Sequence, residues 1–410
     1  MTVATGASRE RVVEEYLEVG LSIGRHIDGF VDAYYGPAEL KARIDAAPLV
    51  APGKLVSRAR ALLGAIDAGE PLDGEGGPDA GVDGVGRRRF LRAQSVGLLT
   101  SAMVLDGATI GYADEVEACY GVRPTRPDEE TIRQAHRDLD GVVPGSGPLA
   151  ERLITWRESL AVPPDVLERA IASLADDLRE RTRAMFGLPD GEHVEFVLER
   201  DKPWSGFNYY LGDLHSRVAV NVDLPVLSSS LAHLVAHEAY PGHHTEHTRK
   251  EVGLVRKRRF LEESIFLVGT PQCLIAEGLA DLGLEVVMGR RPEATVAEHL
   301  RPLGIPYEPE QIAVTSEAGE ALGAVRALAA FRLYEDRADP DTVTDEVAAL
   351  GLTTRDRARK AVAFLLDPTW RAYISCYVEG LPLCRRFVAG RPERFERLIT
   401  DQLVPADLVA

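Results

Sequence analysis

The chain has 410 residues, and its 47 basic and 64 acidic side chains give a formal net charge of −17. Hydrophobic residues make up 45% and charged residues 27% of the sequence, which are ordinary globular values and exclude wholesale disorder. The acidic balance opposes binding to nucleic acid or to an anionic membrane surface, because both are polyanions. Six of the ten histidines fall between His215 and His247, and this clustering requires an explanation.

The N-terminus has no basic stretch followed by an apolar one, and no segment approaches the roughly 18 apolar residues of a transmembrane helix. We therefore expect neither a secretory signal nor a membrane span. The four cysteines are scattered along the sequence, which favours buried thiols in a reducing compartment. These features predict a cytoplasmic protein and leave its oligomeric state open.

Helical periodicity dominates the first half of the chain. Residues 11–30 predict an amphipathic helix, a Tyr-Tyr-Gly-Pro turn follows at 34–37, and the Gly-, Asp- and Pro-rich residues 67–86 predict an exposed loop. Further helices are expected at 55–68, 87–107, 112–120, 128–140, 147–160 and 164–185. Residues 1–188 are therefore expected to form a helical N-terminal domain or cover.

The pattern changes near residue 190. Residues 193–199, 207–211 and 216–222 are typical of short strands, with a Gly-Asp turn between the last two, and predict a small antiparallel sheet. Helices return from Ser229 to the C-terminus. Residues 189–410 are the second predicted unit, so the expected fold class is mainly α with a small antiparallel sheet beside the helix described next.

An apolar helical run from Ser229 ends in His237-Glu238, the pair with which zinc hydrolases of the H-E-x-x-H type begin. Zinc takes neutral imidazole ligands and keeps one position open for water, and a neighbouring Glu takes a proton from that water. The second His expected four residues on is replaced by Pro241, which lacks an N–H and should kink or end the helix. Gly242 can adopt a positive φ, so the chain can turn sharply.

This break would bring His243 or His244 back beside His237. A second apolar helix then carries Glu277, Asp281 and Glu285 on one face. Acids in such a context are costly to bury unless they are paired or bound to a metal. We assign Glu277 as the third ligand and Asp281 as the acceptor for the N–H of a ligand imidazole.

The run His-Glu-Ala-Tyr-Pro-Gly-His-His at 237–244 resembles the H-E-x-x-P-G-H-H signature of the DUF885 family, which is assigned to the gluzincin-like metallopeptidase superfamily. Residues 277–280 are similar to that family's E-G-W-A helix, with Leu where Trp is common, and residues 377–380 resemble its Y-x-x-G element. The matches span roughly residues 205–385. The resemblance implies a mostly helical gluzincin-like metallopeptidase fold with a zinc site and a poorly defined substrate.

The remaining roles follow from the chemistry of amide hydrolysis. The reaction builds an oxyanion that needs a donor beside the metal, and Tyr377 is the first candidate and Tyr373, one turn earlier, the second. Strand 216–222 is where such enzymes hold a substrate backbone by strand addition, and Asn221 at its end could bond the substrate, as could Tyr373. The arginine that commonly follows the family's tyrosine has no in-register match, although Arg385 and its neighbour lie nearby.

The sequence thus predicts a hydrolase with one Zn²⁺ per chain. The predicted ligands are His237, His243 and Glu277, with His244 as the alternative to His243 and otherwise a supporting or substrate-facing residue. Glu238 is the predicted general base and later the proton donor to the leaving amine.

A short peptide or small amide is the expected substrate, because the helical half would wall a deep cleft, and carboxypeptidase- or dipeptidase-like action is the expected specificity. Neither nucleic acid nor a membrane is an expected partner. Two alternatives remain open. One is a zinc hydrolase of a non-peptide amide or ester, and the other is a catalytically silent metal-binding or interaction protein on the same fold.

Overall fold

Helices form most of the structure, a computed structural model that describes residues 11–72, 80–202 and 204–409. Apolar side chains at three- and four-residue spacings give each helix a buried face, as Val12, Tyr16, Val19 and Ile23 do in the first one. The helices of the first half are α1 (Arg11–Gly24), α2 (Ala38–Ala46), α3 (Pro52–Asp67), α4 (Ala80–Leu105), α5 (Tyr112–Tyr120), α6 (Glu129–Val142), α7 (Leu149–Ser159) and α8 (Pro164–Phe186). The prediction of a mainly helical fold is confirmed.

The start of the chain differs from expectation. The helix predicted over 11–30 ends at Gly24, and strand β1 (Val31–Tyr34) follows it. Of the loop predicted at 67–86, residues 73–79 lie outside the described residues, and α4 already begins at Ala80. The expectation about a secretory signal concerns the first ten residues, which also lie outside the described residues.

The second half contains the predicted strands and a further series of helices. The strands are β2 (His193–Glu199), β3 (Gly206–Gly212), β4 (His215–Asn221) and β5 (Ile265–Leu267). The α-helices are α9 (Ser228–Glu238), α10 (His243–Lys250), α11 (Pro271–Met288), α12 (Glu293–Leu300), α13 (Pro309–Tyr334), α14 (Pro340–Leu350), α15 (Arg355–Leu366), α16 (Ile374–Val388), α17 (Pro392–Thr400) and α18 (Pro405–Leu408). A π-helical turn (Glu251–Arg256) and 3₁₀ turns (Leu261–Ser264 and Arg301–Leu303) complete the order.

The three predicted strands near residue 200 form one small sheet in the order β2-β4-β3. The β3–β4 pair is antiparallel, as predicted, but β2 runs parallel to β4. The reason is that the connection from β2 to β3 crosses the end of the sheet, so the last strand enters between the other two. The side-chain amide of Asn221 donates to the carbonyls of Lys202 and Trp204 and holds this crossing in place.

The central position of β4 corrects one expectation. Both edges of β4 are already paired, so the prediction that this strand holds a substrate backbone by strand addition is wrong. The polar atoms of Asn221 are also occupied, because its Oδ1 accepts from the backbone N–H of Asp223. The hydrogen bonds of Asn221 are made to the protein backbone, and substrate binding by this residue stays a prediction.

A second, two-stranded sheet joins the first half of the chain to the second. Strand β1 pairs antiparallel with β5, which directly precedes α11. Val31 lies opposite Leu267 and Ala33 lies opposite Phe266, so Asp32 is the extra residue of a β-bulge. The bulge attaches Asp32 close to the start of α11.

The core also crosses the predicted boundary at residue 188. One cluster of buried side chains includes Ile132 and Leu174 before that position and Val235, Leu279 and Leu398 after it. A smaller cluster surrounds α1, α3 and α4 and includes residues of β5. The division of the chain into 1–188 and 189–410 stays a prediction.

All four cysteines are buried free thiols, as predicted. Within the described part of the chain, no helix combines the length and the apolar character that crossing a bilayer requires. The cytoplasmic location stays a prediction.

Candidate metal centre

Helix α9 delivers His237 and Glu238 at its C-terminal end. Leu231, Ala232, Val235 and Ala236 form its buried face, so the last turn of the helix packs against the core. The helix ends at Glu238 because Pro241 has no N–H to donate to the carbonyl of residue 237. The next helix, α10, begins at His243 after a turn of four residues.

Gly242 makes this turn possible, but for a different reason from the one expected. Its φ is −75°, so the positive φ anticipated from the sequence is not used. A Cβ atom at this position would lie only 1.9 Å from the carbonyl oxygen of His237 and 2.6 Å from that of Ala236. Glycine is required because the returning backbone passes directly against the end of α9.

The turn and helix α11 together bring three ligand atoms to one point. The Nε2 atoms of His237 and His243 are 3.1 Å apart. Glu277 Oε2 lies 3.4 Å from His237 Nε2, and Glu277 Oε1 lies 3.9 Å from His243 Nε2. These three residues form a group whose ligand atoms all lie within 4.8 Å of one another.

Asp281 fixes the orientation of His237. Its Oδ1 lies 2.9 Å from His237 Nδ1, one helical turn beyond Glu277 on the same face of α11. Burial alone would raise the pKa of Asp281, but the hydrogen bond from His237 holds that pKa below its usual range. A proton on Nδ1 leaves the Nε2 lone pair of His237 directed at the cluster.

The donor set fits a divalent cation, and zinc in particular. Glu277 Oε2 is buried and has no hydrogen-bond partner among the described residues. Glu277 Oε1 accepts a hydrogen bond from the hydroxyl of Tyr373 at 2.9 Å. An orphaned carboxylate oxygen facing two imidazole nitrogens is a costly arrangement that a cation would satisfy. Two imidazoles and one carboxylate are the protein ligands of many catalytic zinc sites.

His244 faces away from this cluster. Its Nδ1 lies 2.8 Å from Ser216 Oγ on β4, and its Nε2 lies 3.1 Å from Glu192 Oε2. Glu192 also accepts a hydrogen bond from the hydroxyl of Tyr240 at 2.7 Å. Burial acts to raise the pKa of Glu192, but the hydrogen bonds from His244 and Tyr240 lower it to about 2. His244 therefore anchors the turn from the sheet side, while His243 faces His237 and Glu277.

Glu238, which directly follows His237, is 8% exposed. Its backbone carbonyl accepts from the side-chain amide of Asn208 at 2.6 Å, and its carboxylate packs against Gly206, where a Cβ would come within 3.0 Å of Oε1. Burial raises the pKa of Glu238 to about 7; the neighbouring imidazole of His237 opposes this rise and the negative charge of Glu277 adds to it. A carboxylate with a pKa near neutrality can both accept and return a proton.

The two predicted tyrosines line one side of the site. The hydroxyl of Tyr373 contacts Glu277 directly, and the hydroxyl of Tyr377 lies 3.0 Å from that of Tyr373. Tyr377 is 40% exposed. The structure thus places Tyr373 against a member of the cluster and Tyr377 one hydrogen bond further out, the reverse of the order in which the sequence ranked them as oxyanion donors.

Two residues near the site were not assigned a role from the sequence. His233, one turn before His237, is exposed, and its Nε2 lies 3.5 Å from Asp281 Oδ1. Burial raises the pKa of Asp32, on the bulge of β1, to about 8, and the charges of Glu277 and Glu238 add to this rise. A lone acid between the apolar Val31 and Ala33 was the only local signal for this position.

No family model and no curated protein matches the sequence. Among solved structures, the chain is similar to a "putative lipoprotein" from Colwellia psychrerythraea with a TM-score of 0.51 and 13% sequence identity, over 86% of this chain and 69% of that one. It is also similar to a "putative lipoprotein of unknown function" from Shewanella oneidensis (TM-score 0.44, 14% identity, 98% and 82% of the two chains). A third neighbour is the M32 carboxypeptidase from Deinococcus radiodurans R1 (TM-score 0.41, 12% identity, 97% and 93%). The first of these likenesses shows a shared fold.

Proposed function

We propose that the chain is a zinc-dependent hydrolase that cleaves short peptides. The observation that carries the proposal is the convergence of His237, His243 and Glu277, whose ligand atoms lie within 4.8 Å of one another, beside the buried carboxylate of Glu238. A catalytic zinc site typically has three protein ligands, such as two imidazoles and one carboxylate, and an adjacent acid that does not bind the metal. A structural site has four protein ligands. His243 is the proposed second ligand because His244 is bonded to Ser216 and Glu192.

Zinc bound by these residues would supply a Lewis acid for the scissile carbonyl and would acidify the attacking water. Glu238 takes a proton from that water on its carboxylate and returns it to the nitrogen of the leaving amine, so the products are a carboxylic acid and a free amine. Asp281 keeps the imidazole of His237 in the required tautomer through Nδ1. Tyr373 donates to Glu277, and Tyr373 and Tyr377 are the hydroxyls at hand for the developing oxyanion.

Short peptides are the proposed substrates because elements from both halves of the chain surround the centre. Strand β1, from the N-terminal half, pairs with β5, which directly precedes the helix α11 that carries Glu277. Gly29, just before β1, packs against the ring of Trp370, where a Cβ would lie 3.1 Å away, and Trp370 precedes Tyr373 by one turn. Carboxypeptidase- or dipeptidase-like action is part of the proposal, and the net charge of −17 disfavours nucleic acid and anionic membranes as partners.

The proposal is tested by measuring zinc content and peptide hydrolysis on the same preparations. The purified chain should hold about one zinc ion, and Glu238→Ala should retain that zinc and lose hydrolysis of a short-peptide library by at least about a hundredfold. Glu195→Ala, on an exposed position of β2, is the matched control and should leave both quantities unchanged.

Three results would count against the proposal. Absence of zinc together with an untouched peptide library would refute the enzyme. Zinc binding with cleavage of esters or non-peptide amides alone would favour a different hydrolase. Zinc binding without hydrolysis of either class would favour a silent metal-binding protein.

A further inference from the structure

A second group of chemically reactive side chains lies on helices α8 and α12, which carry none of the candidate zinc ligands. Ser173 and Asp177 stand four residues apart in α8 and therefore share one face of that helix. His299, in the last turn of α12, contacts both of them. Its Nδ1 lies 2.9 Å from Ser173 Oγ, and its Nε2 lies 3.3 Å from Asp177 Oδ2. The imidazole thus connects a hydroxyl on one side to a carboxylate on the other.

The carboxylate of Asp177 determines which ring nitrogen of His299 carries the proton. An ionised carboxylate only accepts hydrogen bonds, and a neutral imidazole has one donor and one acceptor nitrogen. Nε2, which faces Asp177, is therefore the N–H, and the lone pair of Nδ1 is left to accept the hydroxyl proton of Ser173. The Nε of Arg181 donates to both oxygens of Asp177, at 2.9 and 2.8 Å, and holds this carboxylate in place.

This order of groups is that of an activated serine nucleophile. Such a site needs a hydroxyl and a base within about 2.6–3.2 Å of each other and a third group that orients the base. Ser173, His299 and Asp177 supply these three groups. The two ring nitrogens are interchanged relative to the familiar Ser-His-Asp triad. The interchange preserves the chemistry, because such triads are defined by geometry and by the role of each group.

The group is open to small molecules but lacks one part of an efficient acyl-transfer site. The side chains of His299 and Asp177 are 21% and 22% exposed, and Ser173 is partly exposed. The backbone N–H of Ser173 lies inside α8 and is used by the helix, so it does not offer the oxyanion donor found beside most nucleophilic serines. Arg169, one turn before Ser173 on the same face, is exposed and adds positive charge. The arrangement therefore suits electrophiles with a good leaving group and disfavours amides.

We propose that Ser173 is a base-activated nucleophile that takes the acyl group of an activated ester. Its Oγ attacks the acyl carbon, the bond from that carbon to the leaving oxygen breaks, and the hydroxyl proton passes to His299 Nδ1 and on to the leaving oxygen. The products are an O-acyl serine and a free alcohol. The site needs no metal, so it is independent of the zinc-dependent activity proposed above.

The test treats the full chain with p-nitrophenyl acetate and locates the acetyl groups by mass spectrometry of proteolytic peptides. Ser173 should be acetylated, and His299→Gln should slow this reaction by at least about tenfold, because the hydroxyl loses its base. Ser159 is the matched internal reference, since it is an exposed helical serine whose Oγ donates to the carbonyl of Trp156 at 2.6 Å. It should be acetylated at least about tenfold more slowly than Ser173.

Two controls separate activation of Ser173 from other effects. Glu238→Ala should leave the acetylation rate of Ser173 unchanged, and a loss of the reaction in this variant would assign it to the metal centre and overturn the inference. Urea denaturation shows whether His299→Gln is folded. If it is not, the wild-type chain decides, because the faster acetylation of Ser173 relative to Ser159 should disappear when the chain is unfolded in urea.

Equal acetylation rates of Ser173 and Ser159 in the folded chain would overturn the inference, and so would an undiminished rate in a folded His299→Gln variant. The three side chains would then only link α8 to α12. Neither result bears on zinc content or on peptide hydrolysis, so the two proposals fail separately.

Discussion

His243 and His244 are adjacent at the start of helix α10 but have different contacts. His243 points its Nε2 at His237 and Glu277, whereas His244 is enclosed between Ser216 and Glu192. Successive residues of a helix are rotated by about 100° about its axis, so the side chains of two neighbours point in different directions. The pair therefore combines one candidate ligand with one anchor for the turn that positions it.

Replacing each histidine by alanine should separate these roles. His243→Ala should lose most of the bound zinc after dialysis, measured by elemental analysis, because one of three ligands is gone. His244→Ala should retain zinc but lower the free energy of unfolding in urea by about 1–3 kcal/mol, because Ser216 and Glu192 lose a buried partner. His193→Ala, an exposed position on β2, serves as the control for both measurements. Loss of zinc in His244→Ala with retention in His243→Ala would reverse the assignment.

At the scale of elements, the crossing of α11 and α16 builds one side of the centre. A Cβ at Gly278 would lie 2.3 Å from the carbonyl oxygen of Gly380, and a Cβ at Gly380 would lie 2.6 Å from that of Leu274. The two helices therefore touch backbone to backbone at these glycines. The crossing also sets Tyr373, just before α16, against Glu277, which directly precedes Gly278. The glycines of the two motifs at 277–280 and 377–380 permit this close approach, and it brings Glu277 of the first motif against Tyr373, which precedes the second motif by one turn.

Adding one methyl group at this crossing should lower both the free energy of unfolding and the affinity for zinc. Gly278→Ala and Gly380→Ala should each lower the free energy of unfolding by about 1–3 kcal/mol, because the helices must separate. Zinc affinity should fall as well, since the contact between Tyr373 and Glu277 depends on the crossing. Both quantities can be followed by urea denaturation and by competition with a chelator.

Gly323→Ala in α13 is the matched control, because a Cβ there meets nothing within 4 Å. It should stabilise the chain by about 0.5–1 kcal/mol through helix propensity alone. Equal stability of Gly278→Ala and Gly323→Ala would show that the crossing tolerates a side chain and would remove this explanation of the motifs.

The elements that could be predicted from the sequence are those with a local cause. The end of α9 follows from Pro241, and the common face of Glu277 and Asp281 follows from helical spacing. The parallel pairing of β2 with β4 could not be predicted, because strand order depends on which strand enters the centre of the sheet. Asp32 was missed because its position depends on a bulge and on β5, more than 230 residues later in the chain.

At the scale of the whole molecule, a buried ion pair joins the N-terminal half to the segment between α10 and α11. Arg87 in α4 donates to both carboxylate oxygens of Glu262, at 2.6 and 2.8 Å, and the two side chains are 1% and 0% exposed. The guanidinium also lies over the ring of Phe260, 4.0 Å from its centre. Together with the β1–β5 pair, this contact makes the N-terminal helices part of the same folded body as the helices that carry the candidate metal ligands.

Removing only one member of this pair should be far more damaging than removing both. Arg87→Met leaves Glu262 buried without its cation and should lower the free energy of unfolding by about 3–5 kcal/mol. The double variant Arg87→Met with Glu262→Leu should recover most of that loss, since no buried charge remains. Arg92→Met, on the same helix and paired with Asp67 at an exposed position, should change stability by about 1 kcal/mol or less. Urea denaturation of the wild type, Arg87→Met, Glu262→Leu and the double variant measures the coupling. Strictly additive effects would show that the pair does not hold the two halves together.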